Sequence, residues 1–148
     1  LALGVHENGA RTGFELYDIT SRETLPLCTT QPVVNAVKTG SFFFFEDGLK
    51  KGRQLLRPEA AAQHEIVVID ELGPMELGNK GWSESVETLI RHACTPQIWV
   101  VRRSLVEKML RKWNIGQAFI IDIGTDTAED AAGILCNMLE IYRDNTAQ

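Results

Sequence analysis

The stretch that decides the fold is His64–Leu77, HEIVVIDELGPMEL. Four apolar residues in succession, Ile66 to Ile69, run from Glu65 into Asp70 and Glu71. An unbroken Ile/Val run suits a strand covered on both faces, as in a parallel sheet under helices, rather than one with a wet face. Such a strand delivers its last residues to the carboxyl edge of the sheet, where open α/β folds bind ligands. Two carboxylates therefore arrive together at that edge, and Gly73-Pro74 turns the chain away behind them.

An apolar strand ending in Asp-Glu has the form of a Walker B motif, in which the Asp holds Mg²⁺ and the following Glu polarises an attacking water. An ordinary strand end with two solvated acids has the same short pattern. The longer string is more specific. Ile69-Asp70-Glu71-Leu72-Gly73-Pro74-Met75-Glu76-Leu77 resembles the Walker B region of the THEP1-type nucleoside-triphosphatases, a P-loop NTPase family reading close to (V/I)-(V/I)-D-E-(I/L)-G-x-(M/L)-E-(L/F). Two further stretches resemble that family. Gly4-Val5, Glu7, Asn8-Gly9, Arg11 and Gly13-Phe14 match its hairpin, and Phe45, Gly48, Gly52 and Leu56 are compatible with the segment before Walker B.

Working outward, the elements follow from pattern. Asn8-Gly9 between Leu3–Glu7 and Arg11–Ile19 predicts a hairpin on a type I′ turn, which needs φ > 0 at both central residues. Pro26 within Leu25-Pro26-Leu27 predicts an edge strand, since proline donates nothing to a ladder. Residues 31–40 read as a loop, Ser41–Glu46 as a strand, Asp47–Arg57 as a polar, basic segment with a short helix, and Pro58 as the start of a helix over Glu59–Gln63. Four consecutive phenylalanines suit core packing. A stacking platform for bases is the functional alternative.

Beyond the Gly-Pro turn, Trp82, Val86, Leu89, Ile90 and Ala93 recur at helical spacing, ending at Thr95-Pro96. Gln97–Val101 reads as a second buried strand. Ser104-x-x-Glu107 is a capping box for a helix striped by Leu105, Met109, Leu110 and Trp113, with Gly116 as its C-cap neighbour. Ala118–Ile123 reads as a third strand. Asp126-x-x-Glu129 opens a last helix with Ala128, Ala131, Ala132, Leu135, Met138, Leu139 and Tyr142 on one face. The expectation is one α/β domain over residues 1–148, a P-loop NTPase-like, mostly parallel sheet flanked by helices, with an antiparallel hairpin extension near the start.

Composition bounds the function. With 148 residues, 44% hydrophobic and 24% charged, the chain is long enough for a real core. The net charge of −5 argues against general nucleic-acid binding. No apolar run reaches the roughly 18 residues of a membrane span. Three scattered cysteines, Cys28, Cys94 and Cys136, fit reduced thiols in a cytoplasmic protein. His6, His64 and His92 are too isolated for a zinc site, and the serines lack a nucleophile-elbow context.

What the resemblance implies is Mg²⁺-dependent hydrolysis of a nucleoside triphosphate such as ATP or GTP, with Asp70 as the Mg²⁺ carboxylate and Glu71 as the general base. Arg102, following directly on the Gln97–Val101 strand, is the candidate for charge on the transition state, with Arg11 and Arg103 as candidate nucleotide contacts. Each of these arginines has a plain alternative as a solvated surface charge. Glu76 reads equally as a helix cap or a catalytic group. No G-x-x-x-x-G-K-(S/T) occurs in these residues, and the chain starts at Leu1 without a Met, close to strand-like sequence. The expectation is a family member lacking its N-terminal P-loop strand and helix, inactive alone, with the cradle supplied by a separate or cleaved segment or by a second subunit. Two other functions stay open: a degenerate NTPase-like module that binds a protein partner, and a nucleotide-kinase-like phosphotransferase with Asp47–Arg57 as lid.

Overall fold

The computed structural model describes residues 1–92 and 95–146, with side-chain environments through residue 144. Its contacts group into two units, Leu1–Leu105 and Val106–Gln148.

The first unit opens with the expected hairpin. β1 (Ala2–Glu7) and β2 (Ala10–Tyr17) pair antiparallel with Glu7 opposite Ala10, leaving Asn8 (φ 50°) and Gly9 (φ 79°) as a two-residue turn. β3 (Thr24–Thr29), β4 (Val37–Thr39) and β5 (Phe42–Phe44) extend it into a five-stranded antiparallel sheet of order β1-β2-β3-β5-β4. Two expectations are corrected. Residues 31–40 are not wholly loop, because Val37–Thr39 pairs with Phe42–Phe44. And the strand of Pro26 is interior. The proline sits opposite Glu15, where the β2–β3 register shifts between Phe14 and Glu15, so a bulge accommodates the missing donor.

α1 (Glu46–Leu55) lies against this sheet, burying Gly48, Leu49 and Gly52. A Cβ on Gly48 would stand 2.6 Å from the Pro26 carbonyl oxygen, and one on Gly52 would collide with the Trp82 ring. The helix therefore approaches β3 and Trp82 as closely as it does because both positions lack a side chain. α2 (Pro58–Ala61) is a single turn with its proline at the first helical position.

β6 (Val67–Leu72) and β7 (Gln97–Val101) form a parallel pair, linked by α3 (Pro74–Leu77) and α4 (Ser83–His92). This right order of strand, helix and parallel strand is the one expected, but among the described residues the parallel sheet has only these two strands and the antiparallel sheet is the larger. Accordingly Ile69 and Leu72 are buried while Val67 and Val68 are half-buried, since a two-stranded layer leaves part of each strand uncovered. α4 buries Val86 and Leu89 as its spacing predicts, whereas Ala93 and Cys94 lie outside the described residues. A 3₁₀ turn at Arg103–Leu105 closes the unit.

The second unit holds α5 (Val106–Lys112) and α6 (Ala128–Thr146). Met109 and Trp113 are buried, as their stripe predicts. The helix stop is not Gly116. Asn114 (φ 51°) takes the left-handed position, with Ile115 N–H donating to Leu110 O (2.9 Å) and Asn114 N–H to Arg111 O (3.3 Å), a Schellman closure. Ala118–Ile123 is not a strand. It pairs with no strand among the described residues, and Phe119, Ile120 and Ile123 are exposed. β-propensity alone makes no ladder when the backbone groups lack one to join. The α6 box also falls one residue later than expected. Thr127 Oγ1 accepts from Asp130 N–H (3.1 Å) and the Asp130 carboxylate accepts from Thr127 N–H (3.3 Å), while Asp126 accepts from Asp122 N–H (2.8 Å). On α6, Ala131, Leu135, Met138, Leu139 and Tyr142 form the half-buried stripe, and Ala128 and Ala132 are exposed.

Candidate active site

The site is built at the end of β6. Ile69 pairs with Trp99 and Leu72 with Val101, so Asp70 and Glu71 together face the single residue Val100. This is a β-bulge, and Glu71 sits in it at φ 60°, a left-handed conformation unfavourable for a residue with a Cβ. Buried neighbours hold the bulge from both sides: Ile69 and Leu72 are 3% and 1% exposed. The consequence is geometric. In a regular strand, adjacent side chains alternate faces. Here the insertion brings Asp70 and Glu71 to the wall of one cleft.

That cleft has a volume of about 270 Å³ and divides by chemistry. Its lining includes the charged side chains of Asp70, Glu71 and Arg102, with Ala2 bonded to Asp70. The antiparallel sheet contributes Phe14, Leu27, Phe42 and Phe44. Phe14 and Phe42 meet edge to face at 5.5 Å between centroids, while Phe43 lies on the opposite side under Lys38. The phenylalanine run is thus split by strand alternation, half toward the cleft and half away.

Asp70 is half-buried, and its Oδ2 accepts from Ala2 N–H at 3.1 Å, which fixes the carboxylate relative to β1. Its Oδ1 accepts no hydrogen bond among the described residues. Glu71 is exposed to the cleft. Arg102 is exposed and follows β7 directly, so the parallel pairing of β6 with β7 is what brings its cation to the carboxylates' edge. The other two arginines are elsewhere. Arg11 lies on β2 over the Phe14 ring, 5.0 Å from its centroid, and Arg103 begins the 3₁₀ turn; neither lines the cleft.

Glu76 is the residue whose place the sequence left open. It is 4% exposed and caps the start of α3 from the third helical position: Oε2 accepts from Gly73 N–H at 3.0 Å, while Oε1 accepts from Trp82 N–H, beyond the helix, at 3.3 Å. Burial pushes its carboxyl above the usual range, against the pull of those N–H donors. The signal available in the sequence was a Glu at the third helical position after Gly-Pro, which is the acidic half of a capping box.

With this geometry in place, comparison with known proteins is specific. A family profile described as NTPase matches residues 2–126. The chain belongs to this NTPase family. The nucleoside-triphosphatase THEP1 of Methanopyrus kandleri is 30% identical over 97 residues, covering 66% of this chain and 52% of that protein. Its counterpart in Saccharolobus solfataricus is 32% identical over 100 residues, covering 68% and 55%. The chain thus spans about half the length of these curated NTPase relatives. No solved structure matches it.

Proposed function

We propose that this NTPase-family chain carries the metal and water side of a Mg²⁺-dependent nucleoside-triphosphate hydrolysis site. The observation that carries the reading is the bulge that puts Asp70 and Glu71 on one cleft with Arg102. A positive φ at a non-glycine residue stores about 1–2 kcal/mol, a cost that clusters at working sites.

Asp70 fits Mg²⁺. This hard cation takes one or two carboxylates and fills its remaining positions with water and substrate phosphate oxygens. Asp70 offers a carboxylate with one oxygen anchored to Ala2 N–H and the other available, and no group of three acidic, histidine or cysteine ligands is found among the described residues. When bound, Mg²⁺ neutralises charge on the terminal phosphates. Glu71, exposed at the cleft wall, orients a water and accepts its proton as oxygen attacks phosphorus. Arg102 faces the negative charge that spreads over the transferred group. The backbone cradle and lysine for the phosphates come from a segment outside these residues, for no such glycine-lysine pattern lies within them.

Glu71→Gln tests the assignment, in a protein that includes the phosphate-binding segment. The amide keeps size and hydrogen bonding but takes no proton. Nucleotide affinity should stay within about twofold and turnover should fall by about 10²–10⁴, the usual worth of a general base. Turnover persisting at the wild-type rate would remove Glu71 from the mechanism.

A further inference from the structure

We propose that Glu76 is a positioning residue for Glu71: it locks the turn after β6 and so holds the bulge in its left-handed form. The catalytic consequence rests on the hydrolysis reading above, and the structural part does not.

A cap for α3 alone does not explain this carboxylate. α3 is a single turn, and a neutral Ser at its N-cap would satisfy it without burying a charge, which is costly unless every lone pair is used. Glu76 instead spends its two oxygens on two separate elements. Oε2 takes Gly73 N–H, two residues beyond Glu71, and Oε1 takes Trp82 N–H at the head of α4. Trp82 in turn donates its indole N–H to Leu49 O on α1 at 3.1 Å. Gly81 (φ 61°) makes room, because a Cβ there would collide with Glu76 Oε1. A second Schellman closure, Lys80 N–H to Met75 O (3.0 Å) across left-handed Asn79, returns the chain from α3 toward Trp82.

Glu71 therefore sits between fixed points. Before it, Ile69 is paired with Trp99; after it, Leu72 is paired with Val101 and Gly73 is held by Glu76. Two residues must span the distance of one across Val100, and the left-handed φ is how the chain does so. The Leu72–Val101 rung is the last before Gly73; with Gly73 freed, that rung opens with the turn, the extra residue leaves the bulge, and Glu71 returns to negative φ and turns away from the cleft.

Glu76→Gln is the test, because it keeps the shape while replacing one acceptor oxygen with an NH₂ that cannot accept. Three readouts apply. In residues 1–148, hydrogen exchange should accelerate at least tenfold at whichever of the Gly73 and Trp82 amides faces the NH₂ while the β1–β2 amides are unchanged, and, because losing either end unlocks the turn, NMR couplings at Glu71 should report loss of the positive φ. In the protein that hydrolyses nucleotide, kcat should fall by about 10², the order expected for an Å-scale misplacement, with KM within about threefold. Unchanged amide exchange or an unchanged Glu71 φ overturns the clamp. Both changed with kcat unmoved overturns the positioning role. If wild type shows no turnover at all, the hydrolysis reading has failed, and the exchange and coupling results still decide the clamp. Should Glu76→Gln not fold, Glu76→Asp, with both acceptors one methylene shorter, gives the same readouts.

Discussion

Asp18 shows how a single side chain sets a turn and ties it to a helix. It is 8% exposed; its carboxylate accepts from Thr20 N–H (3.0 Å) and Ser21 Oγ (2.8 Å), and Lys51 of α1 stands 3.4 Å away. Burial opposes its ionisation, but these donors outweigh burial and hold the carboxyl below its ordinary 3.8. A carboxylate with a depressed folded pKa stabilises fully above the ordinary value and loses that contribution as pH falls through the lower, folded one. Asp18→Asn should thus cost roughly 1–3 kcal/mol in denaturant unfolding at pH 7, and the gap to wild type should shrink in acid. A gap independent of pH would mean the charge is not what matters. Asp18 and the roles of Glu76 and Arg102 were not equally legible in the sequence. Asp70, Glu71 and Arg102 could be placed at one edge because strand direction alone carries them there. That Glu71 is left-handed, and that Glu76 reaches forward to Trp82, depend on pairing and burial that no local pattern encodes.

Among the elements, those with a local physical cause were readable. Asn8-Gly9 dictates its hairpin turn, and the apolar stripes of α4, α5 and α6 follow helical spacing. Those that depend on a distant neighbour were not. Pro26 is tolerated because β3 bulges at Leu27 beside it and because β5 pairs only with Cys28 and Thr29, leaving no ladder partner on its other side, and Ala118–Ile123 has the composition of a strand without a ladder. One helix end and one helix start were misplaced where Asn114 and Thr127 did the work assigned to Gly116 and Asp126. Close packing also gives two glycine-to-alanine changes opposite signs. Gly52→Ala should destabilise by about 1–3 kcal/mol despite alanine's better helix propensity, because its Cβ meets a Trp82 ring pinned by Leu49 O. Gly133→Ala, in α6 with open space around its Cβ position, should stabilise by about 0.5–1 kcal/mol. Thermal melts of the pair check this; equal shifts would contradict the packing argument.

At the scale of the whole molecule, the mixed α/β architecture follows from the order of patterns, but the balance between its sheets does not. The antiparallel layer, expected as a hairpin extension, became five strands once Val37–Thr39 joined β5, and it supplies the aromatic wall of the cleft. Cys28 on its buried side is pushed up to about 11 by burial, so it resists thiolate chemistry, and thiol reagents should reach exposed Cys136 well before it. No helix among the described residues is long and apolar enough to cross a membrane. The proposed hydrolysis divides between a metal and water side within residues 1–148 and a phosphate cradle outside them. The most direct measurement is therefore phosphate release from ATP and GTP with Mg²⁺, comparing residues 1–148 with a protein that also carries the cradle segment. Turnover is expected only in the latter, cut by about 10²–10⁴ in Glu71→Gln. Turnover by residues 1–148 alone, or none in the protein with the cradle, would contradict this division.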